Sequence, residues 1–522
     1  MSITGQRRPR LAGLAAAFTA VAVMLTACGG ENTSGASDSS DSSDAGDKDY
    51  SVLRLASSTQ PGSWDPALQL SAFDGMWQWT AVYDTLLTCH EDGSVSPGAA
   101  ESYEFSDDHT VLTLTLRDGM TFSDGTPIDA AAVNASIEHV QNGGGSAAAR
   151  VAGITIETPD ERTVVLTAPE PSGLLPVYMC LSPGIVASPE AIESDTVDSV
   201  PVASGPYTFD AERSTSGSVL TFVRRDDYWN ADAYPYQEVI VSIMPDVTAR
   251  LNALKTGQVD GAALNGETTA EAEASGLTVH DYVDATNGIV IFDRAGETVP
   301  ALGDARVRQA LNMVFDREAI ASGLFQGQVD PTTQMFGSDT DAYVEELDDH
   351  YEYDVEAAKK LMEDAGYADG FTVEIPARSP QTEQANPLIV QQLAELNITV
   401  EEVPLAAASA VQELLSGRFA MTYLSMPLAS GLWSMQQSIS PAGTWNVNGN
   451  ADPELTELTE TAQTAQDDEL TGVLQEINRY TVENAWFVPW NQRVAYFATA
   501  GDVELITTGD VYTKIPQLRD FQ

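Results

Sequence analysis

The chain has 522 residues, 43% of them hydrophobic and 20% charged, which is enough apolar material for a large core and excludes wholesale disorder. Its 77 acidic residues outnumber 25 basic ones, and the formal net charge of -52 excludes a nucleic-acid partner, whose phosphates it would repel. The five histidines are scattered, so they predict no zinc or nickel cage.

The N-terminus has the pattern of an export signal. Three arginines between positions 7 and 10 precede residues 11–25, an apolar stretch too short for a comfortable transmembrane helix. The stretch ends in Leu-Thr-Ala-Cys-Gly, which resembles the bacterial lipobox and implies that Cys28 becomes the lipidated N-terminus of a lipoprotein. We therefore predict a signal peptide over residues 1–27. An uncleaved signal anchor is the alternative, and the export route, Sec or twin-arginine, is left open.

Residues 28–50 follow the lipobox and are rich in serine and aspartate. Such a segment has too few apolar side chains to pack, so we predict a solvated, extended tether. The body, residues 51–522, contains no further run of eighteen apolar residues. The prediction is a soluble body held by a lipid at the outer face of the cell membrane. We interpret its acidity as a solubility adaptation rather than a cation-binding surface.

The body alternates short strands, turns and helices, the pattern of an α/β protein. Alternating apolar side chains predict a strand over residues 110–116, and a β-branched run predicts another over 238–243. Asp304 and Asp354 are placed to cap helices whose apolar residues recur every three or four positions. Further helices are predicted over residues 249–255, 454–463 and 470–484.

Two other features describe the organisation of the body. It has no fixed-period repeat and no Pro/Ser-rich linker after residue 50, which favours lobes that the backbone crosses more than once. Cys89 and Cys180 are the remaining cysteines, and outside the cytoplasm they can pair. The sequence does not give their separation, so a disulfide and two buried thiols are left as alternatives.

Short segments in a fixed order, from about residue 53 to 500, carry a family resemblance. The most specific is LRDGMTFSDGTPIDAAAV at residues 116–133, close to the signature LRxGVxFxDGxPxTAxDV. The others are LRLASSTQPGSWDPA (53–67), YDTLL (83–87), DGSVSPGAAES (92–102), SGPY (204–207), RDDYW (225–229), PDVTARLNALKTGQVDGA (245–262), DARVRQALNMVFDREAI (304–320) and PEL (453–455). Together they resemble the large extracytoplasmic solute-binding proteins of peptide- and nickel-type ABC importers, family 5.

The resemblance implies an α/β, three-lobed periplasmic-binding-protein-like fold, in which a hinge joins two α/β lobes around a ligand cleft and a smaller extra lobe is attached. By analogy, lobe I comprises about residues 51–85, 200–264 and 486–522, lobe II residues 86–199, and lobe III residues 265–485. A chain that crosses a hinge several times gives rigid lobes with short pivots. The lobes are expected to close on a solute, expel water and dock on permease subunits.

In the peptide-binding members of the family, a segment resembling Gly-Trp-x-x-Asp-Tyr-x-Asp-Pro holds the amino terminus of the ligand on its aspartate. Residues 417–431 occupy the comparable place here, contain no acidic residue and carry Met426 in place of the tryptophan. An ammonium group in a closed cleft needs a carboxylate partner. This departure weakens a peptide assignment unless an acid from elsewhere in the cleft substitutes.

Tryptophan is the residue type that the chain supplies instead. Trp433 and Trp445 are flanked by Gln and Asn side chains, and aromatic faces beside neutral amides suit an uncharged, hydroxyl- or amide-rich solute. Packing in the core is the alternative for each ring. The predicted ligand-binding residues are Trp64, Trp77, Tyr83, Ser425, Met426, Trp433, Trp445, Asn446 and Trp490.

The sequence contains no Gly-x-Ser-x-Gly, His-Glu-x-x-His, phosphate-loop or Cys-x-x-Cys motif, so we predict a non-enzyme without cofactor or metal. The expected function is that of a monomeric, lipid-anchored receptor that binds an oligopeptide or oligosaccharide-like solute and delivers it to an ABC transporter permease. Two alternatives are a secreted lipoprotein hydrolase on the same scaffold and a sensory peptide receptor without a transport role.

Overall fold

The structure is a computed structural model. It describes residues 49–69, 75–194, 196–377, 380–406, 409–501, 503–507 and 509–522. The predicted signal peptide, Cys28 and most of the predicted tether therefore lie outside the described residues. Among the helices of the described residues, none is long and apolar enough to cross a membrane.

Helices and strands alternate along the body, as the sequence pattern predicts. The helices are α1 Met76–Val82, α2 Ala130–Asn142, α3 Leu175–Tyr178, α4 Pro189–Glu193, α5 Val247–Lys255, α6 Gly266–Ala274, α7 Ala305–Met313, α8 Arg317–Gly323, α9 Val355–Ala365, α10 Pro380–Ala394, α11 Ala410–Leu414, α12 Gly431–Ser438, α13 Pro453–Ala462 and α14 Asp467–Glu483. The strands are β1 Val52–Ser57, β2 Leu87–Cys89, β3 Val95–Pro97, β4 Ala100–Phe105, β5 Val111–Leu116, β6 Thr155–Glu157, β7 Thr163–Thr167, β8 Tyr207–Phe209, β9 Val219–Arg224, β10 Glu238–Ile243, β11 Gly261–Leu264, β12 Thr278–Ile291, β13 Val329–Pro331, β14 Thr372–Ala377, β15 Thr399–Pro404, β16 Met421–Pro427 and β17 Phe487–Thr499. The predicted α/β class is confirmed.

The predicted helix caps explain where two of these helices begin. The Asp304 carboxylate accepts the backbone N–H of Arg306 at 2.9 Å, and the Asp354 carboxylate accepts that of Ala357 at 2.9 Å. Each bond satisfies one of the amide groups left without a partner at a helix N-terminus. The α9 helix ends at Gly366, whose φ of 87° is in the left-handed region that glycine adopts at little cost.

A mixed sheet dominates the body, with strand order β16-β12-β17-β11-β1-β10-β9-β8 and with β13 paired to β17. The β1 strand runs parallel to β10 and β11, whereas the other pairs are antiparallel. The β12 and β17 strands have 14 and 13 residues and pair with each other along most of their length. They connect the strands assigned to predicted lobe I with those assigned to predicted lobe III.

An ion pair joins these two long strands near their middle. Asp284 lies at a register shift of β12 and accepts two hydrogen bonds from Arg493 of β17, at 2.8 and 2.6 Å. The backbone carbonyl of Asp284 also accepts the N–H of Leu428 at 2.9 Å. Because Leu428 follows β16 directly and precedes α12, this contact fixes the start of α12 relative to the long strands.

The smaller sheets belong to the other parts of the body. An antiparallel sheet of order β4-β5-β7-β6 and the β2-β3 pair lie within predicted lobe II, and the parallel β14-β15 pair lies within predicted lobe III. Residues 49–522 nevertheless form one compact unit. Apolar residues of predicted lobe II, such as Leu112 and Met179, share a core with Leu424 and Trp486 of the later chain. The lobe boundaries stay a prediction.

Cys89 and Cys180 form a disulfide in the structure, with their Cα atoms 5.7 Å apart. Cys89 ends β2, and Cys180 follows α3. The bond therefore joins the first strand of predicted lobe II to a segment 91 positions further along the chain. The sequence left open a disulfide or two buried thiols, and the structure contains the disulfide.

Candidate functional site

A cavity of about 520 Å³ lies where three parts of the chain meet. Its walls come from residues 91–109 and 173–177, from residues 339–341, 430–432 and 466–470, and from residues 511–512. These groups belong to predicted lobes II, III and I, respectively. A cavity at this meeting point has the position that a solute cleft between closing lobes requires.

The first turn of α12 forms part of the cavity wall. The Ser430 hydroxyl caps the helix by accepting the N–H of Trp433 at 3.3 Å, and it also receives the hydroxyl of Tyr512 at 3.1 Å. The Asp341 carboxylate accepts the N–H of Gly431 at 2.9 Å. A Cβ atom at Gly431 would stand 2.5 Å from Oδ1 of Asp341, so glycine is needed for this close approach.

Asp341 is exposed to the cavity, yet the protein around it removes enough water to raise the pKa of its carboxyl group. No basic side chain forms an ion pair with Asp341 within the part of the chain that the structure describes. Its neighbour Asp339 differs, since Lys514 lies 2.6 Å from the Asp339 carboxylate. The cavity therefore contains a carboxylate that has an amide partner but no counter-charge.

Trp433 lies beside this wall and is half-buried. The rings of Tyr178 and Tyr512 meet it edge-on, with centroids 6.1 and 5.6 Å away, and the Arg150 guanidinium carbon lies 5.0 Å from its centroid. Arg150 and Tyr178 come from predicted lobe II, Trp433 from lobe III and Tyr512 from lobe I. Its neighbours Ser430 and Leu432 line the cavity, and contact of Trp433 itself with a solute stays a prediction.

Three of the predicted ligand-binding aromatic residues lie in the core instead. Trp77 is 1% exposed and donates its Nε1–H to the carbonyl of Pro516 at 2.7 Å. Trp490 is 0% exposed and packs between Phe315 and Tyr423. Trp64 is 7% exposed, in the core that contains Trp77. In the structure other side chains cover the apolar faces of these rings, and contact with a solute stays a prediction for them.

The predicted polar and sulfur-containing residues have mixed positions. Asn446 is 1% exposed, and its amide links the backbone of Ile439 and Asn450 to Arg294, so it supports the loop rather than facing a solute. Met426 is 3% exposed and belongs to the shared core. Ser425 is half-buried, and its hydroxyl has no partner within the described part of the chain. Half-buried Trp445 packs against the shared core.

Tyr83 lines a second cavity, of about 260 Å³, between α1 and the segments around the disulfide. Beside it, the Asp84 carboxylate accepts hydrogen bonds from the Tyr228 hydroxyl at 3.0 Å and from Nε1 of Trp229 at 2.6 Å. Burial raises the pKa of Asp84 to about 6, and nearby Arg519 opposes the rise. Asp84 is thus satisfied by neutral donors from within the fold.

Arg150, Tyr178, Asp341 and Tyr512 were not among the predicted site residues. Each lies in a segment whose local pattern is that of an ordinary turn or short helix, and only the tertiary fold brings them to Trp433. One sequence feature pointed towards Asp341: residues 417–431 contain no acid, so a cleft that binds an ammonium group needs a carboxylate from another segment. Across the described ranges, no cluster of three or more His, Cys, Asp or Glu side chains is placed to hold a metal ion.

Comparisons with known proteins agree with the family resemblance. The family model for bacterial extracellular solute-binding proteins, family 5 middle region, matches residues 94–443. A probable peptide ABC transporter periplasmic-binding protein, y4tO of Sinorhizobium fredii, is 26% identical over 354 residues, which cover 62% of this chain and 65% of that protein. The glutathione-binding protein GsiB of Salmonella paratyphi A is 25% identical over 350 residues, covering 64% and 66%. The chain thus spans slightly less than two thirds of these relatives.

Solved structures show the same fold. The periplasmic binding protein AgaA of Agrobacterium tumefaciens R10, in complex with agropinic acid, superposes with a TM-score of 0.76 at 26% identity, covering 90% of this chain and 98% of that one. DppA of Helicobacter pylori, in complex with the peptide STSA, superposes with a TM-score of 0.74 at 19% identity, covering 90% and 97%. The predicted periplasmic-binding-protein-like fold is confirmed.

Proposed function

Since the chain belongs to the bacterial extracellular solute-binding proteins of family 5, we propose that it captures an oligopeptide outside the cytoplasm and delivers it to an ABC transporter permease. The observation that carries this proposal is the cavity at the meeting point of the three predicted lobes, with the unpaired Asp341 carboxylate in its wall. A relative named as a peptide-binding protein and another named as a glutathione-binding protein support the peptide class.

Asp341 answers the objection that residues 417–431 contain no acid. Its carboxylate approaches α12 from a different segment and touches Gly431, within the stretch that carries the aspartate in peptide-binding members. An ammonium group entering the cavity would find there a negative charge that no basic side chain of the described part of the chain neutralises. We therefore favour an amine-bearing solute over an oligosaccharide.

Closure of the lobes would complete the site. The walls of the 520 Å³ cavity come from different predicted lobes, so a solute inside it would contact all of them only in the closed state. The ligand can shift the equilibrium towards closure only by its difference in affinity for the two states. Closing also removes water from around Asp341, which strengthens its attraction for an ammonium group.

The test uses the exported protein and a defined tripeptide, trialanine, beside its N-acetyl derivative. We expect trialanine to raise the melting temperature and to be recovered intact, and N-acetylation to weaken binding about tenfold or more because the ammonium group is lost. Asp341→Asn is expected to bring the two affinities close together. Equal binding of the free and acetylated peptides by the wild-type protein would contradict the role of Asp341, and hydrolysis of the peptide would contradict a transport receptor.

Attachment to the membrane is a separate part of the proposal. It rests on the lipobox resemblance around Cys28, which lies outside the described residues. Metabolic labelling with radioactive palmitate should label the wild-type protein and leave Cys28→Ala unlabelled. The Cys28→Ala protein should then appear in the culture medium or periplasmic fraction rather than with membranes, whereas label on both would contradict acylation at this cysteine.

A further inference from the structure

A buried lysine near the C-terminus forms an ion pair at the wall of the candidate site. Lys514 has only 10% of its side chain exposed, and its ammonium group lies 2.6 Å from a carboxylate oxygen of Asp339. Asp339 lines the 520 Å³ cavity and is 175 positions away from Lys514 in the chain. Within the described residues, Lys514 forms an ion pair with no other acid. A lysine this buried needs such a partner, because an unpaired ammonium group loses its hydration without compensation.

The turn that carries Lys514, residues 510–514, is held by its own hydrogen bonds. The Asp510 carboxylate accepts the backbone N–H groups of Tyr512 and Thr513 at 2.8 and 2.9 Å. Lys514 itself has a φ of 51°, in the left-handed region that a lysine rarely adopts. A strained backbone of this kind persists only where the surrounding contacts fix it, and it is common at sites that bind or switch. The turn therefore sets the direction of the Lys514 side chain.

This ion pair joins predicted lobe I, which contains Lys514, to predicted lobe III, which contains Asp339. Two other ion pairs of the described residues join the same lobes, and both lie between elements that are neighbours anyway, Arg493–Asp284 on the paired strands β17 and β12 and Lys255–Glu271 on the packed helices α5 and α6. Lys514 and Asp339 lie in turns instead. Their ion pair can therefore break without disturbing a strand or a helix.

We propose that the Lys514–Asp339 ion pair is a latch between predicted lobes I and III, which must break whenever a solute enters or leaves the cavity. This latch rests on the proposed capture by lobe closure and adds what limits the rate of release. Opening returns both charged groups to water, so the pair raises the ratio of closed to open protein only about fivefold. The hydrogen bond from Tyr512 to Ser430, at 3.1 Å, joins the same turn to α12 and parts in the same movement. The latch thus slows release without touching the solute.

The experiment measures release of trialanine from the exported protein by stopped-flow tryptophan fluorescence. We expect Lys514→Met to release the peptide about fivefold faster than the wild type, with association no slower. Asp339→Asn should have the same effect, and the double variant should match the single variants, since all three lack the same pair. Lys359→Met is the matched control, because that lysine pairs with Glu356, at 3.1 Å, within predicted lobe III. Small-angle X-ray scattering without peptide should give a larger radius of gyration for the latch variants than for the wild type and the control.

The outcomes separate the latch from the proposed peptide function. Peptide binding with unchanged release in Lys514→Met overturns the latch and leaves the function intact. Slower release in this variant also overturns it, because the freed Asp339 carboxylate then holds the ammonium group of the peptide. A double variant whose acceleration is the product of the two single ones shows that the residues do not act as a pair, which overturns it too.

Two further outcomes are covered by the same set of proteins. If the wild-type protein binds no trialanine, the proposed function fails and scattering decides the latch, which equal radii of gyration overturn. Asp339→Asn leaves Lys514 buried without a partner and is the variant most at risk of not folding. In that case the comparison of Lys514→Met with Lys359→Met decides, since the Asp339 carboxylate, 38% exposed, tolerates the loss of its partner.

Discussion

Two regions of the molecule differ in what they offer an arginine side chain as hydrogen-bond acceptors. In the core behind α7 and α8, Arg317 is 7% exposed and donates hydrogen bonds to the carbonyls of Thr332, Pro489 and Asn312 at 3.1, 2.8 and 2.9 Å. Arg308, 6% exposed, donates to the carbonyls of Leu302 and Asn484 at 2.8 and 2.9 Å. Beside Trp433, the Arg150 guanidinium has no such acceptor in the described part of the chain.

The difference separates a guanidinium whose donors the fold satisfies from one whose donors have no acceptor within the described part of the chain. Burial lowers the pKa of Arg317 to about 10, but its donors are satisfied by backbone groups that the fold itself brings together. Such a cation fixes the positions of α8, β13 and β17 and has nothing left to offer a ligand. Arg150, by contrast, spends none of its donors on backbone groups of the described part of the chain.

The largest expected effect comes from removing the structural cation. Arg317→Met leaves several buried carbonyl groups without a donor, so we expect the free energy of unfolding to fall by about 3–5 kcal/mol. Arg150→Met removes a charge that has no partner, so the change should be within about 1 kcal/mol and of either sign. Urea denaturation followed by circular dichroism measures both. Similar losses of unfolding free energy in Arg317→Met and Arg150→Met would contradict the distinction between the two arginines.

The buried Asp84 carboxyl group extends the comparison of buried charges to the pH dependence of stability. Burial raises the pKa of Asp84 to about 6, from an ordinary value of 3.8, so the folded protein binds the proton more tightly than the unfolded chain. This group therefore favours the folded state most below pH 4, and that contribution is lost as the pH rises from about 4 to 6.

The Asp84→Asn variant isolates this contribution. An asparagine can still accept from Tyr228 and Trp229 but does not titrate, so the difference in unfolding free energy, wild type minus variant, should fall by about 2 kcal/mol between pH 4 and 7. Denaturant titrations at four pH values measure it. A difference that is constant with pH would show that the Asp84 carboxyl group is not desolvated in solution.

The smallest effect is expected when the Trp433 ring is replaced and the affinity for a peptide is measured. Trp433→Ala should weaken binding of trialanine by about 1–3 kcal/mol, because the ring supports Arg150 and covers the solute. Trp433→Phe keeps an aromatic face and should lose less. Trp445→Ala, whose ring packs against the shared core, should lower affinity less than Trp433→Ala. Isothermal titration calorimetry gives the affinities, and wild-type affinity in Trp433→Ala would place this ring in the scaffold.

Elements with a strong local signal could be predicted from the sequence. The strand over 238–243 has the predicted bounds, and Asp304 and Asp354 cap the helices predicted for them. These features depend on interactions within a few residues, such as an aspartate beside the amide groups of the next turn. The long β12 and β17 strands were not predicted, because their pairing depends on residues far apart in the chain.

The candidate site could be predicted only in part, for a physical reason. A tryptophan has the same large apolar surface whether it is half-buried or fills a core, so the sequence could not separate Trp433 from the fully buried Trp77 and Trp490. Arg150 and Asp341 have no local pattern that marks them. What distinguishes them is the lack of a partner of opposite charge, and that property exists only once the chain has folded.

The Cys89–Cys180 disulfide has a practical consequence for all of these measurements. Protein made in the cytosol of an ordinary expression host would emerge with two thiols, since glutathione and thioredoxin keep cysteines reduced there. The segment after Cys89 lines the 520 Å³ cavity, so loosening it would change the cavity wall itself. Material for binding studies should therefore be secreted, or refolded in a glutathione buffer, and checked for free sulfhydryls before the first titration.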